Sequence, residues 1–453
     1  MKILVLIAFS FALVFAGEKY GVYNPQGNRV STFEVSSHDE LLDKTRQIQA
    51  TQPNKNLYIS SLQKGKASKP SSHYRYKAET GAYIDASRKE TFSVCPDKKI
   101  TGTWISEHSV ALNAENCLSV QVPNLAGTFR ILFMENSGRA DTIQVLVNQS
   151  YIQMGDYSHK VWVQDDPLPH FCTNVNICKA SEYGRYENKK YDQPLIVDKT
   201  ELTMGDAWHY SDFGVKINDP RKPEPDKVIG GFVILTVKSL SGGEGESIRF
   251  EKSYPPSENL RVSMRPYLDA YDVWGFANMR SKLEGLDTAY VRVPDGKGNS
   301  RLTLDTSSSG YRMPYKDEWG MLMRAGASTR YYWGDEEDSL TVSRYAWVHP
   351  LGYTQYKVAQ KQPNAFGLYD MISPNNTVCA DGDLCYGSYN YQKPECYFLY
   401  YKIARRVERE GPDFITLYIN GKEQKGSPYV NTYKAISFRL LRKTPKLHKL
   451  EKF

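Results

Sequence analysis

Apolar and polar side chains alternate with a period of two in the second hundred residues of the chain. Phe129, Ile131 and Phe133 share one side of such a segment. A turn sequence containing Gly138 follows, after which the alternation resumes. Two alternating runs joined by a short turn predict a β-hairpin. Comparable short runs occur over 85–148, and we predict a β-sheet domain in that region.

A tryptophan between two cysteines refines this prediction. Trp104 lies between Cys95 and Cys117. A core tryptophan packed against a disulfide is typical of an immunoglobulin-like β-sandwich. The two cysteines are closer in sequence than in antibody domains, so we predict only a sandwich of that general kind. Its simplest role is that of a spacer, because titratable residues do not cluster in it.

The first 16 residues have the pattern of a signal peptide. Lys2 is followed by an apolar run, and the small residues Val14 and Ala16 fit a cleavage site after Ala16. We therefore expect an exported protein in the periplasm, on the outer surface or outside the cell. Later apolar runs stay shorter than 18 residues, so we expect no transmembrane segment in the mature chain.

Two further segments separate the signal peptide from the predicted sandwich. Residues 17–64 combine short alternating runs with a helix capped by Ser37 or Asp39, which predicts a small N-terminal α/β unit. Residues 65–84 begin with a stretch rich in Lys, Ser and Gly. We interpret them as a linker.

The pattern changes after residue 151, where the apolar runs become short and irregular. Two segments, 266–283 and 314–326, have apolar residues at three- to four-residue spacing and predict helices. Gly285 ends the first, and Pro314 suits the first turn of the second.

Composition adds little about partners. The 453 residues suggest about three domains, and the net charge of +7 is small for this length. We expect no nucleic-acid partner, and we interpret the lysine-rich segment 443–453 as a solvated basic tail. The 33 tyrosines favour a β-rich secreted or surface protein without identifying a ligand. We expect the partner to be a protein or a surface glycan.

Seven cysteines in an exported chain indicate disulfides. Pairing by proximity along the chain gives Cys95–Cys117, Cys172–Cys178 and Cys379–Cys385. Cys396 is then left over, unless it replaces a partner in the last pair. A zinc-type site is the weaker interpretation, because the chain has no CxxC motif and its histidines are scattered.

Ordered motifs in residues 151–442 resemble the domain of formylglycine-generating enzymes and sulfatase-modifying factors. The motifs are Met154-Gly155, 195–203, 269–286, Tyr311-Arg312-Met313-Pro314, Tyr332-Trp333-Gly334-Asp335, 363–371 and 436–440. The resemblance implies an α+β fold, a variant of the C-type-lectin-like fold with a small twisted sheet and two helices.

Within that resemblance, nine residues are expected to build the fold. They are Asp198, Glu201, Arg312, Trp319, Trp333, Asn364, Phe366, Gly367 and Arg439. We expect Trp319 and Trp333 to fill the core rather than to form a sugar platform. We expect Arg439 to hold a buried carboxylate or carbonyl groups in a bidentate manner.

The resemblance also implies chemistry, and here the sequence departs from the family. Active relatives oxidise a cysteine of a sulfatase peptide to formylglycine with a close, late cysteine pair that binds copper. Soft thiolates suit Cu(I). The strand motif that precedes this pair is missing, and 405–433 contains no cysteine. Cys396 remains as the candidate catalytic residue, and copper is expected only if it finds a partner.

For calcium and iron, too, the sequence supplies only part of the set of ligands that a site would need. Asp370 is a candidate calcium ligand, but the family's following glutamate is Thr377 here. The acidic run 335–338 is expected to be a solvated loop rather than a calcium site. Iron, used by a related branch of sulfoxide synthases, would need clustered histidines, and His159, His170, His209 and His349 are isolated.

Three functions remain open at this point. The first is a non-catalytic binding or structural component of the cell envelope, a pseudoenzyme. The second is a formylglycine-generating oxidase that acts on a protein cysteine. The third is a carbohydrate-binding module, which only the lectin-like fold suggests.

Overall fold

The structure is a computed structural model of the chain. The residues that it describes are 18–52, 57–61, 69–106, 108–113, 115–153, 159–164, 184–189, 193–203, 206, 227–229, 232–236, 247–251, 270–294, 300–327, 329, 331–336, 338–347, 357–372, 376–378, 384–390, 395–401, 416–419, 422–425 and 436–453. The predicted signal peptide, Cys172, Cys178 and Cys379 lie outside them. Within these ranges, no helix is both long enough and apolar enough to cross a bilayer.

The fold is mixed α+β with far more strand than helix. The helices are α1 His38–Thr51, α2 Ala270–Leu283, α3 Lys316–Arg324 and α4 Ser339–Tyr345. The first strands are β1 Glu18–Tyr23, β2 Arg29–Val35, β3 Tyr58–Ser61, β4 Ser72–Tyr76, β5 Ala82–Ala86, β6 Thr91–Pro96, β7 Gly102–Ile105, β8 Ser109–Leu112, β9 Leu118–Gln121, β10 Gly127–Glu135 and β11 Ala140–Val147. The next are β12 Gln149–Ile152, β13 His159–Gln164, β14 Gly184–Lys189, β15 Leu195–Asp198, β16 Lys227–Ile229, β17 Phe232–Thr236, β18 Ser247–Glu251, β19 Tyr290–Pro294 and β20 Ser300–Leu304. The last are β21 Asn376–Val378, β22 Leu384–Asn390, β23 Glu395–Tyr401, β24 Thr416–Ile419, β25 Lys422–Lys425, β26 Ile436–Ser437, β27 Leu441–Lys443 and β28 His448–Lys449.

The chain divides into two compact units. The first unit contains residues 1–124, 129–147 and 447–453, and the second contains 125–128 and 148–446.

Two sheets form the first unit. One has eight strands in the order β2-β1-β3-β7-β10-β11-β5-β28, and the other has four in the order β4-β6-β9-β8. A single apolar cluster takes Ile84, Trp104 and Phe133 from the larger sheet and Tyr74 and Phe92 from the smaller. The unit is therefore a β-sandwich with its core between the sheets.

The topology of this sandwich departs from the immunoglobulin-like arrangement. Strands β3 and β7 are parallel, as are β4 and β6, and β5 and β11. Immunoglobulin sheets are antiparallel. The predicted elements are nevertheless present, because β10 and β11 are neighbours, Trp104 is fully buried, and Cys95 and Cys117 form a disulfide.

The N-terminal segment and the expected linker also belong to this sandwich. Strands β1, β2 and β3 continue the larger sheet, so 17–64 is not a separate unit among the described residues. Strand β4 and the start of β5 lie within 65–84, where we expected a linker. Tyr74, Tyr76 and Ile84 are buried there at alternate positions. The linker was predicted from the Lys-, Ser- and Gly-rich start of the segment, whereas the polar residues between the buried positions are less buried residues of the strands.

The basic tail has structure as well. Strand β28 pairs in parallel with β5 at the edge of the larger sheet. Leu450 joins the sandwich core, while Lys449 and Lys452 remain exposed. Two apolar side chains among the lysines, Leu447 and Leu450, are buried and account for the difference from a solvated tail.

Among its described residues, the second unit contains short sheets and three helices. Strands β12, β15 and β27 make its central three-stranded sheet, in that order. Helices α2 and α3 appear where the apolar spacing predicts them, four and two residues after the predicted starts. The second apolar cluster packs around Trp319, Leu322 and Leu441. Helix α4 was not predicted, and Asp338 of the acidic run caps it by accepting a hydrogen bond from the Thr341 N–H at 2.9 Å.

Candidate functional site

A buried polar centre occupies the second unit beside its central sheet. Asp198 ends β15, and Arg280 lies in the last turn of α2. The Arg280 Nη1 donates to the two carboxylate oxygens of Asp198 at 2.9 and 2.8 Å. The exposed fraction is 0% for Arg280 and 3% for Asp198. Burial raises the pKa of the Asp198 carboxyl, and Arg280 opposes that effect.

Hydrogen bonds from two uncharged donors, Gln149 and Tyr311, extend this ion pair. The Gln149 Nε2 donates to Asp198 Oδ1 at 3.2 Å, and the Tyr311 hydroxyl donates to Glu284 Oε2 at 2.8 Å. The Arg280 guanidinium lies 4.0 Å from the centroid of the Tyr311 ring. Burial also raises the pKa of the Tyr311 phenol, so it stays protonated as a donor at neutral pH. We call these five residues the polar centre.

Arg439 connects the polar centre to a neighbouring loop. It is fully buried and donates to the backbone carbonyls of Asp198 and Tyr369. These are carbonyl partners of the kind that its sequence motif predicts. Glu201 lies three residues after Asp198 and is 1% exposed. Arg439 and Glu201, which were both expected to build the fold, are therefore buried inside the protein.

A second buried ion pair holds the start of α3. Arg312 donates bidentately to Glu318, with both nitrogen–oxygen distances at 2.7 Å. Glu318 also accepts the Tyr315 backbone N–H at 2.9 Å, which closes the first turn of the helix. Arg312 itself pairs with Leu441 of the central sheet through backbone hydrogen bonds. The pair thus fixes α3 to the sheet.

Asn364 organises the turn that carries the motif residues Phe366 and Gly367. Its Nδ2 donates to the carbonyls of Leu322 and Met323 at the end of α3, at 2.6 and 3.2 Å. Its Oδ1 accepts the backbone N–H groups of Phe366 and Leu368. Gly367 has a φ of +72°, which favours glycine. The turn is therefore bonded to the helix end through one side chain.

The two motif tryptophans are both covered by other groups. Trp319 is 1% exposed and lies in the second apolar cluster. Trp333 is partly exposed, but its ring stacks with Tyr331 at 4.7 Å and with Tyr345 at 5.3 Å between centroids. Both contacts are nearly coplanar, with interplanar angles of 11° and 12°. A ring stacked against two others does not offer a sugar platform.

Asp370 does not fit a calcium site. Its Oδ1 accepts the Trp347 Nε1–H at 2.8 Å, and its Oδ2 accepts the Ala359 N–H at 2.7 Å. Calcium requires six to eight oxygen ligands. Among the described residues, no three His, Cys, Asp or Glu side chains cluster in a way that could hold a metal ion. We derive no calcium chemistry for this carboxylate. His170, His209 and His349 lie outside the described residues.

The late cysteines are separated by the register of their hairpin. Cys385 lies opposite Tyr400, and Cys396 lies opposite Tyr389, four residues further along β22. Four residues of strand span about 13 Å. That separation exceeds the Cα distance of a disulfide, and it is too long for two thiolates to share one metal ion. The alternative pairing of Cys396 with Cys385 is therefore excluded, while Cys379 lies outside the described residues.

Sequence reasoning missed three members of the polar centre. Gln149, Arg280 and Glu284 were not singled out. The four-residue spacing between Arg280, in the last turn of α2, and Glu284, which directly follows that helix, was the available signal for their ion pair at 3.2 Å. The partner Asp198 is 82 residues away, so nothing local indicated that contact.

One of three comparisons with known proteins, the match to a family model, agrees with the motifs. Residues 260–393 match the model of the sulfatase-modifying factor enzyme 1-like domain. A solved structure of CarF has 18% sequence identity and a TM-score of 0.31, and the match covers 66% of this chain and 98% of CarF. Treponema denticola variable protein 1 has 14% identity and a TM-score of 0.34, and the match covers 68% of this chain and 96% of that protein. A search of curated proteins finds no match.

The family match is shorter than the resemblance over 151–442. It contains α2, α3 and α4 and the 363–371 motif, while Asp198 and Arg439 lie outside it. The two structural likenesses have TM-scores too low to define a shared fold. Residues 260–393 are therefore similar to the sulfatase-modifying factor enzyme 1-like domain.

Proposed function

We propose that the second unit is a non-catalytic binding or structural domain of an exported protein of the cell envelope. The observation that carries the proposal is the use of the motif side chains. Arg312, Arg439 and Asn364 each form hydrogen bonds within the unit and hold helices, strands or turns together. Asp198 and Asp370 also have protein donors on both carboxylate oxygens. This pattern supports a rigid frame rather than a reaction centre.

The cysteine geometry supports the same proposal. Copper-dependent oxidation of a peptide thiol needs two thiolates on one Cu(I) ion. The register of β22 and β23 keeps Cys385 and Cys396 about 13 Å apart. The oxidase alternative then depends on Cys396 and a cysteine outside the described residues.

A Tyr-rich hairpin is the candidate binding element. Strands β22 and β23 pair over seven residues each and carry Tyr386, Tyr389, Tyr397, Tyr400 and Tyr401. Tyrosine contributes apolar area and a hydroxyl with little loss of side-chain entropy, which suits contacts with a protein or a glycan. Tyr391, which follows β22 in the sequence, lies outside the described residues.

The experiment tests catalysis directly. The purified chain is reconstituted with Cu(I), incubated in air with a cysteine-containing sulfatase peptide, and assayed for aldehyde by hydrazide capture and mass spectrometry. We expect no aldehyde and the same result for Cys396→Ser. Aldehyde that is formed by the wild type and lost in Cys396→Ser would refute the proposal and establish the oxidase.

Thiol counting and metal analysis form a second measurement. The non-catalytic proposal expects one reactive thiol in the unfolded, unreduced chain and no stoichiometric copper after dialysis. Two reactive thiols with one tightly bound copper ion would contradict it. Copper retained equally by Cys396→Ser would instead indicate a site unrelated to the predicted oxidase centre.

A further inference from the structure

A cavity of about 460 Å³ lies within the first unit. It is bounded by the last turn of α1 and by the segments joined through the Cys95–Cys117 disulfide. Small-molecule sites in proteins typically have volumes of roughly 300–1,000 Å³. The cavity is thus large enough for a small ligand, and the proposed function of the second unit does not involve it.

Two amide oxygens at this cavity lack hydrogen-bond donors. Gln52 Oε1 and Asn116 Oδ1 are buried, and neither accepts a hydrogen bond from the described residues. Both residues line the cavity. The terminal torsions of such amides are broad, so a small rotation presents each oxygen to a donor inside the cavity. A buried acceptor without a donor is destabilising, and a ligand that supplies donors removes this cost.

The position of Asn116 is fixed by its backbone. Its carbonyl accepts the Trp104 Nε1–H at 2.8 Å, and its φ is +61°. The Asn116 Nδ2 donates a long hydrogen bond of 3.4 Å to the Gly102 carbonyl. The other terminal atom of this side chain is therefore the amide oxygen. The backbone therefore holds the residue in place, while the side-chain amide is only weakly restrained.

The charges at the cavity balance. Arg75 and Lys98 contribute two positive charges, and Asp97 and Glu115 contribute two negative charges. A fully charged ligand of either sign would meet repulsion from one pair. An uncharged ligand that both donates and accepts hydrogen bonds can interact with all four groups.

The remaining wall is mixed, because Gln49, Thr101, Thr103 and Asn136 add polar groups to its apolar side chains. Ile48, Leu57 and Ile100 line the cavity together with the disulfide. Phe453 lies at the same cavity with 59% of its surface exposed, and the Arg75 guanidinium is 4.3 Å from its ring centroid. Small-molecule sites combine apolar walls with polar groups that fix the orientation of the ligand. The C–H faces of a sugar ring match such walls, while its hydroxyls match the polar groups.

We infer that this cavity binds an uncharged polyhydroxylated molecule with the size of a mono- or disaccharide. The ligand hydroxyls donate to Gln52 Oε1 and Asn116 Oδ1 and accept from Arg75 and Lys98. The inference is independent of the proposed function, because its residues all belong to the first unit.

The test uses the full chain and isothermal titration calorimetry. The probes are glucose, galactose, mannose, N-acetylglucosamine, maltose, cellobiose and lactose, with glucosamine and glucuronate as charged counterparts of glucose. Asn116→Gly removes the amide and tolerates the positive φ, and Gln52→Leu removes the other amide with a similar volume. Gln47→Leu, an exposed position on the same helix outside the cavity, is the matched control.

We expect at least one neutral sugar to bind saturably, with a dissociation constant of about 1 mM or lower. Asn116→Gly and Gln52→Leu should each weaken that sugar by about tenfold without unfolding the chain, while Gln47→Leu should not change it. Thermal unfolding verifies that each variant folds. If only one of the two amide variants folds, that variant is sufficient for the test. The inference is overturned if no neutral sugar saturates, if neither amide variant weakens binding, or if a charged counterpart binds more tightly than its parent.

Discussion

Replacing Arg280 by Met tests the energetic role of the polar centre. The substitution removes the guanidinium that lies 2.8 and 2.9 Å from the two oxygens of Asp198. Two longer hydrogen bonds then remain to that carboxylate, from Gln149 at 3.2 Å and from the Leu440 N–H at 3.3 Å. Because Asp198 is 3% exposed, water cannot replace the lost partner.

The expected cost follows from this geometry. Removing one partner of a buried ion pair destabilises a protein by about 3–5 kcal/mol. Whole domains are stable by about 5–15 kcal/mol, so the loss is a large part of the total. Adding Asp198→Asn to Arg280→Met removes the stranded charge and should recover at least about 1 kcal/mol.

Urea unfolding followed by tryptophan fluorescence measures this loss. Six of the seven tryptophans lie in 148–446, so the signal reports mainly the second unit. Arg344→Met, at an exposed position in α4, is the matched control and should change the free energy of unfolding by less than about 0.5 kcal/mol. A loss below about 1 kcal/mol in Arg280→Met, or no recovery in the double variant, would refute the reasoning.

Two other side chains give separate predictions. Asn364→Asp replaces the Nδ2 donor by oxygen opposite the Leu322 and Met323 carbonyls, and should destabilise the second unit by about 2–3 kcal/mol in the same assay. Gln362→Glu, at an exposed position in the same unit, should have little effect. A neutral result at Asn364 would mean that its turn does not depend on those bonds. Burial lowers the pKa of the His108 imidazole to about 4, from 6.5, so the folded state disfavours the protonated form. Protonation of His108 therefore does not reduce the free energy of unfolding above about pH 6.5. As the pH falls from there to about 4, it reduces the free energy of unfolding by at most about 3 kcal/mol. Urea unfolding by circular dichroism at about pH 7 and about pH 4.5 should show a smaller pH dependence for His108→Gln, and identical pH dependence in both proteins would contradict this assignment.

Local sequence signals predicted helices α1, α2 and α3, but not α4. Helix α2 follows from its apolar spacing and from Gly285, whose φ is +66°. Helix α1 begins where Ser37 was expected to cap it, and the Ser37 hydroxyl accepts the Glu40 N–H at 3.2 Å. Spacing and capping act within one or two turns, so the sequence contains the whole signal for these elements.

The contacts that organise the second unit are not local. Asn364 bonds to Leu322 across 42 residues, and Asp198 pairs with Arg280 across 82. Neither partner can be identified from spacing, because the fold alone brings the segments together. The family resemblance identified one side of each contact, Asn364 and Asp198, without giving the other side.

The unpredicted strands have a different explanation. In β4, buried Tyr74 and Tyr76 alternate with less buried His73 and Arg75. Composition averaged over 65–84 hides this period because the segment begins with Lys, Ser and Gly. A period-two reading of the shorter window would have found the strand. The acidic run concealed α4 in a similar way, since Asp338 was counted as a loop charge and not as a helix cap.

Strand β28 has a consequence for the order of folding during synthesis. The first unit includes 447–453, which leave the ribosome after the whole of the second unit. At about 5–20 residues per second, the roughly 300 intervening residues delay completion of the larger sheet by about 15–60 s. Until then β5 remains an open edge, and the nascent sandwich lacks Leu450 from its core. A growing chain is therefore most exposed to mispairing at that edge while the second unit is being made.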